Sequence, residues 1–176
     1  MKEKNNWKDY IAAKNMIYQD IMRNNYEKNL ISEANWVLRS QCGCGEDIGV
    51  KVKPGDICFI DFGQSYLNEM GYQHFGLVMS ISQKKALIIP MTSNTNTYMK
   101  AYDEVDNPDG LKNLMRIGLI HGLVKPSVLF LNDLRYINTA RVIQVTTSIS
   151  VRSALFKNIQ KRMREIMNLE NVKERV

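Results

Sequence analysis

The chain has 176 residues, 44% of them hydrophobic and 24% charged, a composition that fits one globular domain with appendages. No apolar run approaches the ~20 residues that cross a bilayer, and the opening MKEKNNWKDY lacks the apolar core of a secretory signal. Three cysteines, an odd count, argue against a disulfide framework and for a reducing compartment, so the chain reads as cytoplasmic. The net charge of +6 is concentrated late. Residues 151–176 hold seven basic and three acidic groups, whereas residues 1–49 balance at seven each. Such a basic excess suits either steering toward a polyanion or a solvated basic helix face.

From Trp7 to Arg39 there is no Gly and no Pro, which predicts a long helix. Asn24, Asn25 and Asn29 weaken its middle, so two helices are the alternative. Trp7, Tyr10, Ile11, Ile17, Ile21, Leu30, Ile31 and Val37 give a broken helical stripe, and Trp7 and Trp36 are expected to be buried against something. Candidates are the body of the protein, a dimer interface or a partner. Next comes Cys42-Gly43-Cys44. Zinc would need four ligands, and no second Cys or His pair follows at a matching distance, so a Gly-rich linker is expected and no metal. The division predicted is a helical extension and linker over 1–49 and a barrel with its closing helix over 50–176.

The centre of the chain is GDICFIDFGQSYLNEMGYQHFGLVMSISQKKALIIPMT, from Gly55 to Thr92. Asp56–Phe62 alternates as a strand, and Phe75, Leu77, Met79 and Ile81 fall at period two on a strand that opens with His74. Gln83-Lys84-Lys85 is a polar turn into a third strand, Ala86–Met91. The loop between the first two strands is about a dozen residues, longer than the roughly 2–5 of an ordinary hairpin, and long loops on rigid strands are favoured places for function.

After the SNTNT loop, Tyr98–Val105 alternates as a fourth strand, and Asn107-Pro108-Asp109-Gly110 is a turn. Leu111–Ile117 reads as a short helical turn, Gly118–Pro126 as a connection carrying His121, and Val128–Leu131 as a strand. Asn132–Tyr136 reads as a short helix and Arg141–Val145 as the last strand. Thr147 or Ser148 is expected to cap a closing helix whose stripe is Val151, Leu155, Ile159, Met163, Ile166 and Leu169. Five short strands and a helix over one face imply a mainly β, α+β fold: a small, strongly curved SH3-like barrel.

GDICFIDFG, the Asn68-Glu69 pair, His74-Phe75 and PMTSN together resemble the MazF/PemK (Kid-type) toxin family. Its members open with a GD-hydrophobic strand, continue through a loop with S-E-Q-G and then R-P-x-L-V, and end a strand in P-x-T. A second block, SVLFLNDLRYINTARV (Ser127–Val142), resembles the family's S-V-x-L-x-Q-I-R-x-I-D-x-x-R. The likeness covers roughly residues 53 to 168. It implies a barrel of the MazF/CcdB kind, a homodimer with grooves across the subunit boundary, and a cognate antitoxin.

The resemblance also implies sequence-selective, metal-independent cleavage of single-stranded RNA, with no cofactor. A 2′-hydroxyl would attack the adjacent phosphorus, which requires a base, an acid and donors for the phosphorane. His74 stands where the family carries an arginine and Phe75 where it carries a proline, while Thr92 matches its threonine. An imidazole near its ordinary pKa of about 6.5 is suited to proton transfer. It lacks the permanent bidentate clamp of a guanidinium. His121 is the second candidate for an acid–base pair, and Ser93 and Lys125 are candidate phosphate contacts. Arg135 and Arg141 match arginines of the second block, for RNA or for an ion pair with Asp133 or Asp61. Glu69 is expected to organise the loop or act as a base, and Tyr66 and Tyr72 to stack on unpaired bases.

The leading expectation is therefore a toxin endoribonuclease with His74, Thr92 and His121 as catalytic residues. Two alternatives stand beside it. One is a non-catalytic toxin, for example a topoisomerase poison, acting through Asn168–Val176. The other is an RNA- or protein-binding barrel whose N-terminal helices recruit a partner.

Overall fold

The computed structural model describes residues 6–20 and 25–167; Ile21, Asn24, Leu169 and the segment 168–176 lie outside the described residues. Two N-terminal helices, α1 (Trp7–Asp20) and α2 (Tyr26–Arg39), lead through a 3-10 turn, Gly45–Ile48, into β1 (Asp56–Asp61), β2 (Gln73–Ser82) and β3 (Lys85–Thr92). There follow α3 (Thr95–Lys100), β4 (Ala101–Tyr102), β5 (Leu111–Gly118) and β6 (Ser127–Phe130). The chain then forms β7 (Arg135–Asn138), a 3-10 turn Thr139–Arg141, β8 (Val142–Ser148) and α4 (Ala154–Ile166). This is an α+β fold. Its eight strands form one sheet in the order β4-β5-β6-β3-β2-β1-β8, with β7 also paired to β3. The end strands β4 and β8 do not pair, so the sheet is not closed.

Period-two alternation sorts the strands onto two cores. Leu77, Met79, Ile89, Met91, Met115, Ile117, Leu129 and Leu131 pack with Phe156 and Ile159 of α4 on one side. Cys58, Ile60, Phe62, Val78, Ala86, Ile88, Ile137 and Val142 form the other. Burial of each large side chain stabilises the fold by about 1.5–3 kcal/mol before entropy is counted. The same burial pushes the Cys58 thiol up to about 12.

Several expectations change. Asn94 accepts a hydrogen bond from Thr97 N at 3.0 Å and starts α3, so Tyr98–Lys100 is helical and the strand shrinks to Ala101–Tyr102. Leu111–Ile117 is β5, not a helical turn. Its alternation is hidden because Leu114 is buried on one face with Ala101 and Val128, and Met115 and Ile117 on the other. Asn132–Tyr136 is a turn running into β7, which pairs with the edge of β3 that faces away from β2: Ile88 faces Arg135 and Lys85 faces Asn138. Thr147 and Ser148 belong to β8, opposite Ile57 and Asp56. The cap of α4 is instead Ser153, which accepts from Phe156 N at 3.1 Å. Val151 sits before that helix and is exposed.

The largest departure is in the extension. Trp7 is 70% and Trp36 67% exposed, against the expectation that both are buried. Helix α2 turns Asn29 and Ser32 inward, with Asn29 only 1% exposed, and shows Leu30, Ile31, Trp36, Val37 and Leu38 to solvent. The reason lies in what it meets: a carboxylate, a phenol and strand-end carbonyls, all of which need polar partners. The Cys42–Asp47 stretch is held as a turn, with Asp47 accepting from Gly43 N and Cys44 N and Thr139 Oγ1 accepting from Gly45 N. No helix among the described residues is long and apolar enough to cross a membrane.

Candidate functional site

The hairpin β2–β3 begins its register at the turn, with Ser82 opposite Lys85 and Ser80 opposite Leu87. A bulge at Met79 then shifts the pairing by one, giving Val78 opposite Ile88 and Phe75 opposite Met91. The pairing ends there; continued one step at the same register, His74 and Thr92 stand at one height, whereas without the bulge His74 would stand at the height of Ser93 and every side chain beyond would change faces. The same height continues across the sheet. Ile60 pairs with both Val142 and His74, Thr92 with Val128, and Val128 with Arg116. Directly opposed residues share a face, so Val142, Ile60, His74, Thr92, Val128 and Arg116 form one row over six strands. Ile60 and Val142 belong to one apolar cluster and Val128 to another. His74 and Thr92 occupy the half-buried gap between them. Gly76, next on the same face of β2, keeps the floor low: a Cβ there would meet Ile88 Cγ2 at 2.5 Å.

The Thr92 hydroxyl accepts from Asn94 N at 3.2 Å, which leaves its own proton free to donate. Ser93 is exposed one residue on, at the height of Ser127, whose hydroxyl donates to Lys125 O at 3.3 Å. Ser93 and the exposed Lys125 thus sit at the same sheet end as Thr92. His74 is held below its ordinary pKa, first by burial and then by the positive charge of Lys28 on α2. A neutral imidazole at pH 7 is able to accept a proton.

Helix α2 is fastened next to this row through Asp61, at the end of β1. Asp61 is buried and accepts from Ser32 Oγ at 3.0 Å, Asn35 Nδ2 at 3.1 Å, Gln73 Nε2 at 3.2 Å and Gly63 N at 3.0 Å. Asn29 Nδ2 donates to the Tyr72 hydroxyl at 2.9 Å, and Arg39 to the carbonyls of Ala140 and Val142. Helix α1 is joined to α2 by the Lys14–Glu33 ion pair. A cavity of about 910 Å³ opens between these helices, Asp61 and Arg141, but neither His74 nor Thr92 lines it.

Several residues named from the sequence are already engaged. Tyr72 is buried with φ at +56°, its N–H on Gly63 O and its carbonyl on Phe62 N, so it closes the loop and has no free face for a base. Tyr66 is exposed. Glu69 is exposed and accepts from Tyr66 N at 3.3 Å, an organising contact. Arg135 pairs with Asp133, lies 5.6 Å from the Phe62 ring, and belongs with Asp133 to the latch that holds Met70 N at 2.6 Å. Arg141 is exposed and donates to the backbone carbonyl of Asp61 at 3.3 Å, not to its carboxylate. His121 is exposed, its carbonyl bound by Thr147 Oγ1 at 2.8 Å. Thr147 is opposite Ile57, two strands and three residues from the height of His74, on the order of 14 Å away.

Sequence reasoning passed over Asp61 as a hub, Lys28 and Arg116. Arg116 donates to Tyr98 O at 2.8 Å and Met99 O at 3.2 Å and stacks 4.7 Å from the Tyr98 ring. It was hidden by the helical reading of β5. Asp61 did carry a signal, as a charged residue between the apolar run Ile57–Ile60 and Phe62.

No protein-family model and no curated protein matches the sequence. Among solved structures, the chain is similar to MazF from Deinococcus radiodurans, at 14% identity over 68% of this chain and 98% of that one, with a TM-score of 0.49. It is similar to the Mycobacterium tuberculosis toxin MazF-mt6 at 10% identity, over 64% and 96%, with a TM-score of 0.45. A mycobacterial endoribonuclease in complex with its cognate antitoxin is similar at 9% identity, over 68% and 97%, with a TM-score of 0.47.

Proposed function

We propose that this chain is the toxin component of a toxin–antitoxin pair, an endoribonuclease of the MazF kind that cuts single-stranded RNA without a metal. The observation that carries the reading is the bulged register of β2 on β3, which ends with Phe75 opposite Met91 and so carries His74 and Thr92, the next residue on each strand, to one height. They come from separate parts of the motif that resembles the family, and they meet in one half-buried gap. In this mechanism neutral His74 takes the 2′-hydroxyl proton as the 2′-oxygen bonds to phosphorus and the bond to the 5′-oxygen breaks, the leaving oxygen taking its proton from solvent water. Thr92 and Ser93 donate to the phosphoryl oxygens, and Lys125 offsets charge on the phosphorane. The enzyme works as a homodimer, and its antitoxin lies across the groove and shuts the gap.

A binding-only toxin is the second reading, favoured by one observation: Tyr72 and Arg135, both assigned to RNA, are committed to holding the loop. Cleavage of a long single-stranded RNA in EDTA decides between them. Wild type is expected to cut, and His74→Ala, equally folded by circular dichroism, to lose about 100-fold or more. A folded wild type that leaves the RNA intact supports the binding-only reading. Full activity in His74→Ala keeps the enzyme and discards this site.

A further inference from the structure

The endoribonuclease reading places one fixed charge, Lys125, by the start of β6 and none on the His74 side of the gap. Where the resembled family carries an arginine stands His74, and a neutral imidazole gives a phosphodiester no permanent positive charge. Arg116, on the same row, already donates to two carbonyls and lies against Tyr98, and Arg135 is paired with Asp133. Helix α2 brings another cation. Lys28 is exposed, and its backbone carbonyl accepts a hydrogen bond at 3.3 Å from Nε2 of Gln73, the residue that precedes His74. Its charge reaches the His74 ring.

The attachment of α2 explains how that position is kept. Asn29 on Tyr72, Ser32 and Asn35 on Asp61, and Lys28 O on Gln73 are four directional contacts. All end on Asp61, which closes β1, or on Tyr72 and Gln73, where β2 begins. An added helix serving stability alone would turn its apolar residues inward. This one turns them outward and spends its buried face on hydrogen bonds, which fix rotation and register more than they contribute energy. Tyr72, an aromatic residue in the left-handed region, is held in that unfavourable geometry under Asn29.

We propose that Lys28 is a phosphate-binding residue of the RNA site, so that α2 completes the site by supplying the fixed charge that His74 lacks. This rests on the endoribonuclease reading for its rate effects but not for its binding effects. A lysine is a point charge on a flexible stem, and it contacts a phosphate without needing the paired geometry of a guanidinium. Its charge also opposes protonation of His74 and keeps the ring available as a base.

The test uses the full-length protein with Lys28→Ala, Lys28→Arg and Lys28→Glu, beside His74→Ala. Two readouts are taken: cleavage of a long single-stranded RNA across pH, and salt-dependent binding of the same sequence with 2′-deoxy sugars, which cannot be cut. Lys28→Ala is expected to lose roughly 10- to 100-fold in kcat/KM and to lower the slope of log affinity against log salt by about one. The acid limb of its pH profile moves up toward 6.5, Lys28→Arg recovers most of the activity, and Lys28→Glu is worse than Ala. Wild-type cutting and an unchanged salt slope in Lys28→Ala, with His74→Ala inactive, overturn Lys28 and leave the enzyme standing. Faster cutting by Lys28→Ala and Lys28→Glu also overturns it, making α2 a cover over the site. If wild type does not cut at all, the catalytic reading fails, and an unchanged salt slope in Lys28→Ala then overturns Lys28 independently.

Discussion

Strand β2 and helix α2 each have two faces, and they use them in opposite ways. The strand buries Leu77 and Met79 against α4 and Val78 against the second core, so its contacts are apolar and non-directional. The helix buries Asn29 and Ser32 and leaves Trp36, Val37 and Leu38 in water. Hydrophobic burial supplies most of the stability of a fold and little geometric precision. A hydrogen bond contributes a net ~1 kcal/mol but specifies distance and direction. The sheet is therefore what keeps the protein folded, and α2 is what a fixed geometry beside His74 is built from.

That comparison is easiest to break by substitution at one residue of each kind. Leu77 is fully buried, and Leu77→Ala should cost about 2–5 kcal/mol in urea unfolding. Asp61→Ala leaves four donors without their acceptor and should cost about 3 kcal/mol. Because Asp61 joins the sheet to the helix, that variant should also lose cleavage at temperatures where it remains folded, whereas folded Leu77→Ala keeps it. Equal loss of cleavage in both, at equal folded fraction, would mean that α2 has no special link to the site.

At the small end, Trp36→Ser should change stability by no more than about 0.5 kcal/mol, since the side chain is largely in water. A loss above about 2 kcal/mol that shrinks on dilution would show this face covered by another molecule, and the contrast between helix and strand would fail there.

The parts of the molecule legible in the sequence were those where one physical signal acted alone. β1, β2 and β3 are runs rich in apolar and β-branched residues with clear polar boundaries, buried on both faces, so composition and boundaries find them. β5 spaces Leu111, Leu114 and Met115 as a helix would, with Lys112, Asn113 and Arg116 between, and β7 carries Arg135 and Tyr136 where a core residue would have announced it. Helix α3 had its cap in plain sight, Asn94 three residues before Thr97, inside a run that reads as loop. His74 and Thr92 were legible as residue types in a motif. Their common height was not, because the turn alone sets a different register and only the bulge at Met79 shifts it. Lys28 gave no signal at all. Its place depends on polar contacts over long stretches of chain, from Asn29 to Tyr72 and from Ser32 to Asp61, which no local pattern encodes.

The central claim, that the gap holding His74 and Thr92 is where RNA phosphate binds, is tested most directly by NMR of the two histidine rings. The titration is recorded with and without the uncleavable 2′-deoxy oligonucleotide. His74 starts below its ordinary pKa, so in the free protein its charge is gained only at acidic pH and folding loses stability as pH falls through that midpoint. A phosphate in the gap favours the imidazolium, so the account predicts that the oligonucleotide moves the His74 resonances and raises its midpoint while His121 stays put. Movement of His121 with His74 unchanged would contradict it.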